Sequence, residues 1–353
     1  MISRGMKSAS GLILDNGIFH EGSARLVNGR LVLSQKSSDD ADIKGLILPK
    51  AINCHTHLGD SFIQKPENCT VQELVAPPNG LKHRMFKMVS EEQQVCSMRE
   101  KISLMARTGT SHFIDFRECG LEGTRRLLMA SLGSGVTPVI LGRPELSTVD
   151  ELSALLSVAD GIGMSAISDV DFDSLMHISE HAQSMNKVFG IHASEVVRED
   201  MAMILALKPN LLVHMIKANI EDIEKCSSEG VPVAICPSSN HYFGFFPPLR
   251  EMLDSGITVC LGTDNAMLAE PNVFNEIRQM RDMFPETIIP DDEILKIAFV
   301  NGRKVLNSLP GLGDANGLQS DFFALEAPID EPFRAILNAK IEKIHMFEPG
   351  GIT

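Results

Sequence analysis

Four short stretches of this sequence carry side chains that bind metal ions or move protons. Cys54-His55-Thr56-His57 places two imidazoles two residues apart. In an extended strand that spacing turns both rings to one side, poised for a single cation. His192-Ala193-Ser194-Glu195 adds an imidazole and a carboxylate, His214 a fourth imidazole, and Gly262-Thr263-Asp264-Asn265 a second carboxylate. His55, His57, His192 and Asp264 together offer three nitrogens and one oxygen. Such a set leaves a position open for water, as a catalytic metal site does and a closed structural one does not. The HxH pair alone is weak evidence, and a single histidine is more often a core or surface residue. What gives the four groups weight is where they fall.

Each lies at the end of a short apolar run. Such runs occur at 45–54, 112–116, 137–141, 161–167, 188–192, 211–214, 231–236 and 258–262. After the first interval their starts are about 20 to 28 residues apart, room for a strand, a crossover helix and two short loops. Between two of them, segment 171–187 has apolar residues at 172, 175, 176, 178, 182 and 185, a helical spacing. Eight such units predict an α/β fold, a (β/α)8 TIM barrel, whose strand C-termini all open on one rim. The alternative, an open doubly wound sheet, lacks a glycine-rich loop after its first strand. His177 and His181 sit one turn apart on the outer shell. They are not expected to be ligands, nor are His20, His83, His112, His241 and His345.

The first interval is far longer than the rest. Its segment 59–90 is polar and contains Pro66, Pro77 and Pro78, ahead of a helix-like stretch at 91–106. An insertion after the first barrel strand lies on the active-site side, as a lid or as a passive surface loop. The chain ends differ from the middle. Residues 11–35 read as short strands with turns at 15–17 and 28–29. Residues 318–348 look strand-like, with a turn at 338–340. The expected organisation is a small composite β-sandwich domain from 1–47 plus 311–353, beside a catalytic barrel at 48–310.

Composition narrows the class. The 353 residues are 44% hydrophobic and 22% charged, as in ordinary soluble globules. No run approaches the ~18 apolar residues of a membrane span, and no signal-type segment opens the chain, so a cytoplasmic protein without a membrane partner is expected. Lys and Arg number 32 against 46 Asp and Glu, a net charge of −14, which disfavours a nucleic-acid polymer as partner. A local basic pocket remains compatible with that charge. Seven cysteines without a CxxC pair read as free thiols rather than disulfides.

Taken in order, the motifs resemble the amidohydrolase superfamily, in its branch of adenosine, cytosine and guanine deaminases and chlorohydrolases. The matching pieces are LPKAINCHTHLGDS (48–61), IHASE (191–195), LLVHM (211–215), ICPSSNHYFG (235–244), LGTDNAM (261–267) and VNGRKVL (300–306). The resemblance implies metal ligation by His55, His57, His192 and Asp264, and catalytic roles for Glu195, His214 and Asp264. Two departures stand out. Pro49-Lys50 replaces the usual Pro-Gly, and GIGMSAISD (161–169) has no Lys or Glu to bridge two metals. One divalent ion is implied, with zinc expected and Fe2+ or Mn2+ as alternatives. In the implied reaction a metal-activated water attacks, Asp264 takes its proton, His214 orients it, and Glu195 protonates a ring nitrogen.

Substrate contacts are expected from Arg117 and Arg143, at the ends of runs two and three, and from Ser239 and Asn240 after run seven. With Lys82-His83-Arg84 of the insertion, the two arginines suggest a grip on a carboxylate or phosphate. The alternative pairs them with neighbours such as Glu118 and Glu145. The expected enzyme is a metal-dependent aminohydrolase acting on a small purine-, pyrimidine- or pterin-type heterocycle. Hydrolysis of a cyclic amide or a C–Cl bond, and a catalytically silent metal-binding barrel, are the alternatives. Self-association into a homo-oligomer stays open.

Overall fold

Residues 8–34 fold as two successive hairpins because Asn-Gly pairs recur where the chain must reverse. Asn16 and Gly17 (φ 47° and 86°) join β1 (Ser8–Asp15) to β2 (Ile18–Val27). Asn28 and Gly29 (φ 50° and 77°) join β2 to β3 (Arg30–Ser34). Left-handed backbone at both central residues is what a two-residue hairpin turn requires. This computed structural model describes residues 6–76, 79–312 and 321–347. Pro77, Pro78 and parts of the 1–47 and 311–353 segments lie outside the described residues.

The apolar run at 45–54 is two strands in two sheets, a correction to its reading as one. β4 (Ile43–Pro49) runs parallel to β1, and β5 (Ala51–His57) starts the barrel. Lys50 is the hinge between them, its N–H bonded to Asp321 O and its ammonium paired with the Asp321 carboxylate.

Nine parallel strands follow one another around the second sheet. They are β5, β6 (Thr110–Arg117), β7 (Thr137–Gly142), β8 (Gly161–Met164), β9 (Val188–Ala193), β10 (Leu211–His214), β11 (Val233–Ile235), β12 (Val259–Leu261) and β13 (Asp264–Asn265). β12 pairs with β11, while β13 pairs with β5, matching Asp264 to Thr56 and Asn265 to His57. Residues 259–265 thus pair on both sides and join the two ends of the sheet, in the manner of a TIM-type barrel. Inside, Ile114, Phe116, Val139, Leu141, Val213, Ala234 and Cys260 pack into a closed core. The crossover helices carry the expected stripe. In Phe172–Ser184, Leu175, Ile178 and Ala182 are buried, and Asp171 caps the N-terminus by accepting from Ser174 N–H.

Both chain ends enter one six-stranded sheet, in the order β15-β14-β4-β1-β2-β3, with β14 (Phe322–Glu326) and β15 (Ile344–Met346) from the C-terminal part. Among the described residues these strands make one hydrogen-bonded sheet, without a second sheet of the expected sandwich. The physical reason is where its apolar face goes. Leu14, Leu46, Leu48, Phe323 and Leu325 share a core with Phe274, Leu295 and Phe299 of helical segments, while Ala9, Ala24, Ile47 and Ala324, at alternating positions, bury a separate cluster. The strand-like reading of 318–348 is also corrected. Pro332–Leu337 is a helix with Pro332 in its first turn, where a missing N–H costs nothing.

The described part of the insertion holds two short helices, Val71–Leu74 and Leu81–Phe86, before the long helix Glu91–Arg107. All seven cysteines are free. Among the described residues, no helix is long and apolar enough to cross a membrane.

Candidate active site

Strand pairing brings the four chemistry-bearing stretches to one end of the barrel. His55 and His57 leave β5, His192 leaves β9, His214 ends β10 and Asp264 opens β13. The backbone turns sharply at three of these ends. Ser194, His214 and Asp264 have φ of 48°, 74° and 60°, a left-handed conformation uncommon for such residues. Ser194 is held there by Glu199, whose carboxylate accepts from Ser194 N–H at 2.7 Å while its own N–H donates to Ser194 Oγ at 3.1 Å.

The donor atoms form two overlapping trios that share His55. One is His55, His57 and His192, the other His55, His214 and Asp264, with the potential ligand atoms of each within 4.8 Å of one another. His57 Nε2 lies 3.3 Å from His192 Nε2, and Asp264 Oδ1 lies 3.3 Å from His55 Nε2 and 3.6 Å from His57 Nε2. The opposite ring nitrogens are spoken for. His57 Nδ1 donates to Phe116 O at 2.9 Å, with Glu118 Oε1 also at 2.9 Å, and His192 Nδ1 donates to Met164 O at 2.7 Å. That fixes the tautomer and leaves both Nε2 lone pairs bare.

The residues fit a metal ion. Both ring nitrogens of His55 are buried without any hydrogen-bond partner, a costly state for a polar group unless something binds it. Burial, the largest influence, pushes the His55 pKa down to about 3, so the ring is neutral and able to ligate. Burial opposes ionisation of Asp264, but the His55 contact and nearby histidines outweigh it and hold the carboxyl well below its ordinary range. Three imidazole nitrogens and one carboxylate oxygen suit zinc and its neighbours in softness.

A cavity of about 510 Å3 opens over these groups. Glu195, His214, His57, His192 and Asp264 line its floor, and Arg143, Asp169, Tyr242, Phe243 and residues 69–72 of the insertion line its walls. Burial raises the Glu195 pKa. Glu195 Oε1 is 3.6 Å from His214 Nε2, and Asn240 Nδ2 is 3.4 Å from His214 Nδ1.

The four expected substrate contacts fare differently. Arg143 reaches the cavity, and among the described residues no carboxylate pairs with it, although its Nε–H donates to Gly163 O at 3.4 Å. Arg117 does not line it, and its expected grip on substrate is corrected. It is 1% exposed, paired with Glu118 at 2.8 Å and Asp115 at 3.8 Å, and packed where Gly59 has no Cβ. Ser239 and Asn240 are also buried outside the cavity lining, so they too are corrected. Ser239 Oγ donates to Asp264 Oδ2 at 2.5 Å, and Asn240 stands behind His214. Of the basic trio in the insertion, Arg84 is exposed and donates to Asn79 O, while His83 bonds Val75 O.

Lys82, expected with His83 and Arg84 to join the arginines in an anion grip, lines the cavity. It is 2% exposed, pairs with Glu118 and donates to Asn265 Oδ1 at 3.1 Å. Burial pushes Asp60 up to about 8, so Asp60 is protonated near neutral pH. That leaves Asp115 and Glu118 balanced by Lys82 and Arg117. Glu276 is the residue that sequence reading missed. Fully buried, it accepts from Ser238 N–H at 2.9 Å and supports the turn that carries Ser239 and Asn240. Its only sequence signal was its ionisable type.

An amidohydrolase family model matches residues 46–340. A protein of Methanocaldococcus jannaschii is 31% identical over 320 residues, covering 85% of this chain and 82% of its own. A Pyrococcus horikoshii protein named 5-methylthioadenosine/S-adenosylhomocysteine deaminase is 32% identical over 350 residues, covering 86% of this chain and 82% of its own. The crystal structure of an adenosine deaminase from Xanthomonas campestris, with bound zinc, matches with a TM-score of 0.74 and 14% identity over 96% of this chain and 90% of that one. At that identity the likeness is one of fold.

Proposed function

The chain belongs to the amidohydrolase family, metal-dependent hydrolases of carbon–nitrogen bonds, and we propose that it deaminates a small amino-substituted heterocycle of purine, pyrimidine or pterin type. The observation that carries this reading is Glu195, a carboxyl with a raised pKa that faces His214 across a cavity floored by the metal-ligand set. Replacing an amino group on a heteroaromatic ring needs an acid that protonates the ring nitrogen and later the leaving amine.

His55, His57, His192 and Asp264 would hold one divalent ion, with zinc the best match to the donor set. When bound, such an ion supplies an acidified water as nucleophile near neutral pH. The chain's own groups do the rest. Asp264 accepts the water's proton, its carboxylate held in place by Ser239 Oγ on Oδ2 and Asn265 Nδ2 on Oδ1. With the Asn240 amide donating to Nδ1, His214 keeps its proton on Nε2 and aims it at the cavity, where it orients the water and stabilises developing charge. Glu195 gives its proton to the substrate ring, takes one back from the hydroxyl on the attacked carbon, and passes it to the departing ammonia. Residues 48–310 serve as the catalytic barrel and 59–90 as its cover.

Arg143 is the residue assigned to an anionic group on the substrate, since guanidinium offers two parallel donors to a carboxylate or phosphate. The name of the Pyrococcus relative puts adenine nucleosides first among candidates. The deciding experiment is ammonia release by zinc-loaded protein across adenine nucleosides, guanine, cytosine and pterins, with cyclic amides and chlorotriazines as controls. Stoichiometric zinc without ammonia from any amino-heterocycle overturns the reading.

A further inference from the structure

The insertion after the first barrel strand does more than roof the cavity. Helix Leu81–Phe86 sends the Lys82 side chain down into the centre, where it is 2% exposed. Its ammonium meets two residues that each touch a proposed metal ligand. Glu118 Oε1, which Lys82 contacts, lies 2.9 Å from His57 Nδ1. Asn265 Oδ1 accepts from Lys82 at 3.1 Å, while Asn265 Nδ2 donates to Asp264 Oδ1 at 2.9 Å. One cation is thus a single residue removed from a nitrogen ligand on β5 and from the oxygen ligand on β13. These are the two strands whose pairing joins the ends of the barrel sheet.

We propose that Lys82 is a positioning residue that couples seating of the 59–90 insertion to the geometry of the metal site. The inference rests on the metal-site reading given above. A passive lid would touch the rim and leave the ligands alone. Here, lifting the insertion removes one of the two cations that balance Glu118, a carboxylate that is 3% exposed and that Arg117 still meets at 2.8 Å. Loss of half its buried counter-charge is unfavourable, so Glu118 shifts, its Oε1 leaves its place 2.9 Å from His57 Nδ1, and that nitrogen keeps Phe116 O alone. Asn265 at the same time loses the donor that holds its carbonyl, and its amide is freed from its place on Asp264. The coupling runs both ways. An ion that holds His57 and Asp264 in register also holds Glu118 and Asn265 where Lys82 needs them. The far end of the insertion is fastened separately, by Tyr242, whose hydroxyl donates to Pro66 O at 2.9 Å and accepts from Cys69 N–H at 3.3 Å. Lys82 is therefore the link to the ligands and Tyr242 the link to the rim.

Two measurements test the coupling. In the unmodified protein, hydrogen exchange over 61–76 and 79–90 is compared between metal-free and zinc-loaded forms, and zinc slows it. Lys82→Met is then titrated with zinc against a chelator, and its Co2+-loaded form is examined by visible absorption. Zinc affinity falls about 10- to 100-fold, the range typical for groups that orient ligands, and the Co2+ bands shift. Unchanged exchange on zinc loading overturns the proposal, as does a Lys82→Met protein with unaltered zinc affinity and Co2+ spectrum. The exchange experiment needs no variant, so it decides the matter even if Lys82→Met fails to fold. If the unmodified protein takes up no zinc, the metal-site reading falls and the coupling falls with it.

Discussion

Glu195 Oε1 stands 3.6 Å from His214 Nε2, and His214 is held from behind by Asn240, outside the cavity lining. The two residues leave neighbouring strands, β9 and β10, whose register matches His192 with Val213 and Ala193 with His214. The contact is therefore set by strand pairing, and Ser194 in its left-handed conformation turns Glu195 to face it.

Glu195→Gln keeps the shape and removes the proton. If Glu195 is the acid, kcat falls by about 10²- to 10⁴-fold while zinc content stays unchanged. Burial raises the Glu195 pKa, so the active, protonated form persists above the usual carboxylate range and is lost as pH rises through the raised value. The alkaline limb of kcat/KM that it causes should vanish in the variant. A variant with full kcat and the same pH profile would remove Glu195 from the chemistry.

Arg117 and Arg143 separate stability from recognition. Arg117→Ala takes the cation from buried Asp115 and one of two from Glu118, and should cost about 3–5 kcal/mol of stability, read by denaturant unfolding. Arg143→Ala should leave unfolding nearly unchanged and raise KM for anionic substrates by about 10- to 100-fold, the worth of a charged hydrogen bond, with neutral analogues unaffected. Equal effects of Arg143→Ala on both substrate classes would end its assignment to an anion.

Glu276 predicts a pH-dependent stability. Burial pushes its pKa to about 8 in the folded protein, against an ordinary 4.5. A raised folded-state pKa contributes stability that is fully present below about 4.5 and is lost as pH rises through about 8. Glu276→Gln cannot ionise, so its Tm should gain on the unmodified protein between pH 5 and 9. A Tm difference that is flat across that window would mean the carboxyl is already ionised in the fold.

Metal removal should uncover a linked loss of stability. Zinc at about 100 times its Kd adds roughly 2.7 kcal/mol to a protein that binds it only when folded, so chelation should lower Tm by several degrees and readdition restore it. His55→Ala, which removes the ligand common to both trios, should show neither shift. Equal Tm responses to zinc in both proteins would place the ion elsewhere.

Much of this site can be read along the chain. HxH, HxxE, the strand-ending His214 and the Asp264 stretch carry their chemistry in residue type and spacing, because a strand's period of two and a barrel's single rim turn sequence position into location. The Asn-Gly turns are equally local, since positive φ at adjacent residues is a property of those residues.

Arg117 and Arg143 show where such reading stops. Each ends or follows a barrel strand, and each has a glutamate within two residues. Yet one is sealed behind the site, and the other lines the cavity. Local sequence did not separate them, because the difference is which space the packed neighbours leave. Gly59 opens room for the Arg117 guanidinium, and among the described residues no carboxylate pairs with Arg143. Lys82 is the same case, an apparent surface cation drawn inward by Glu118 and Asn265 from other strands. The sequence by itself determined the ligand types, their order and the barrel that gathers them. Only the tertiary structure decided which ionisable groups face the cavity and which support it from behind, because burial and charge pairing arise between residues far apart in the chain.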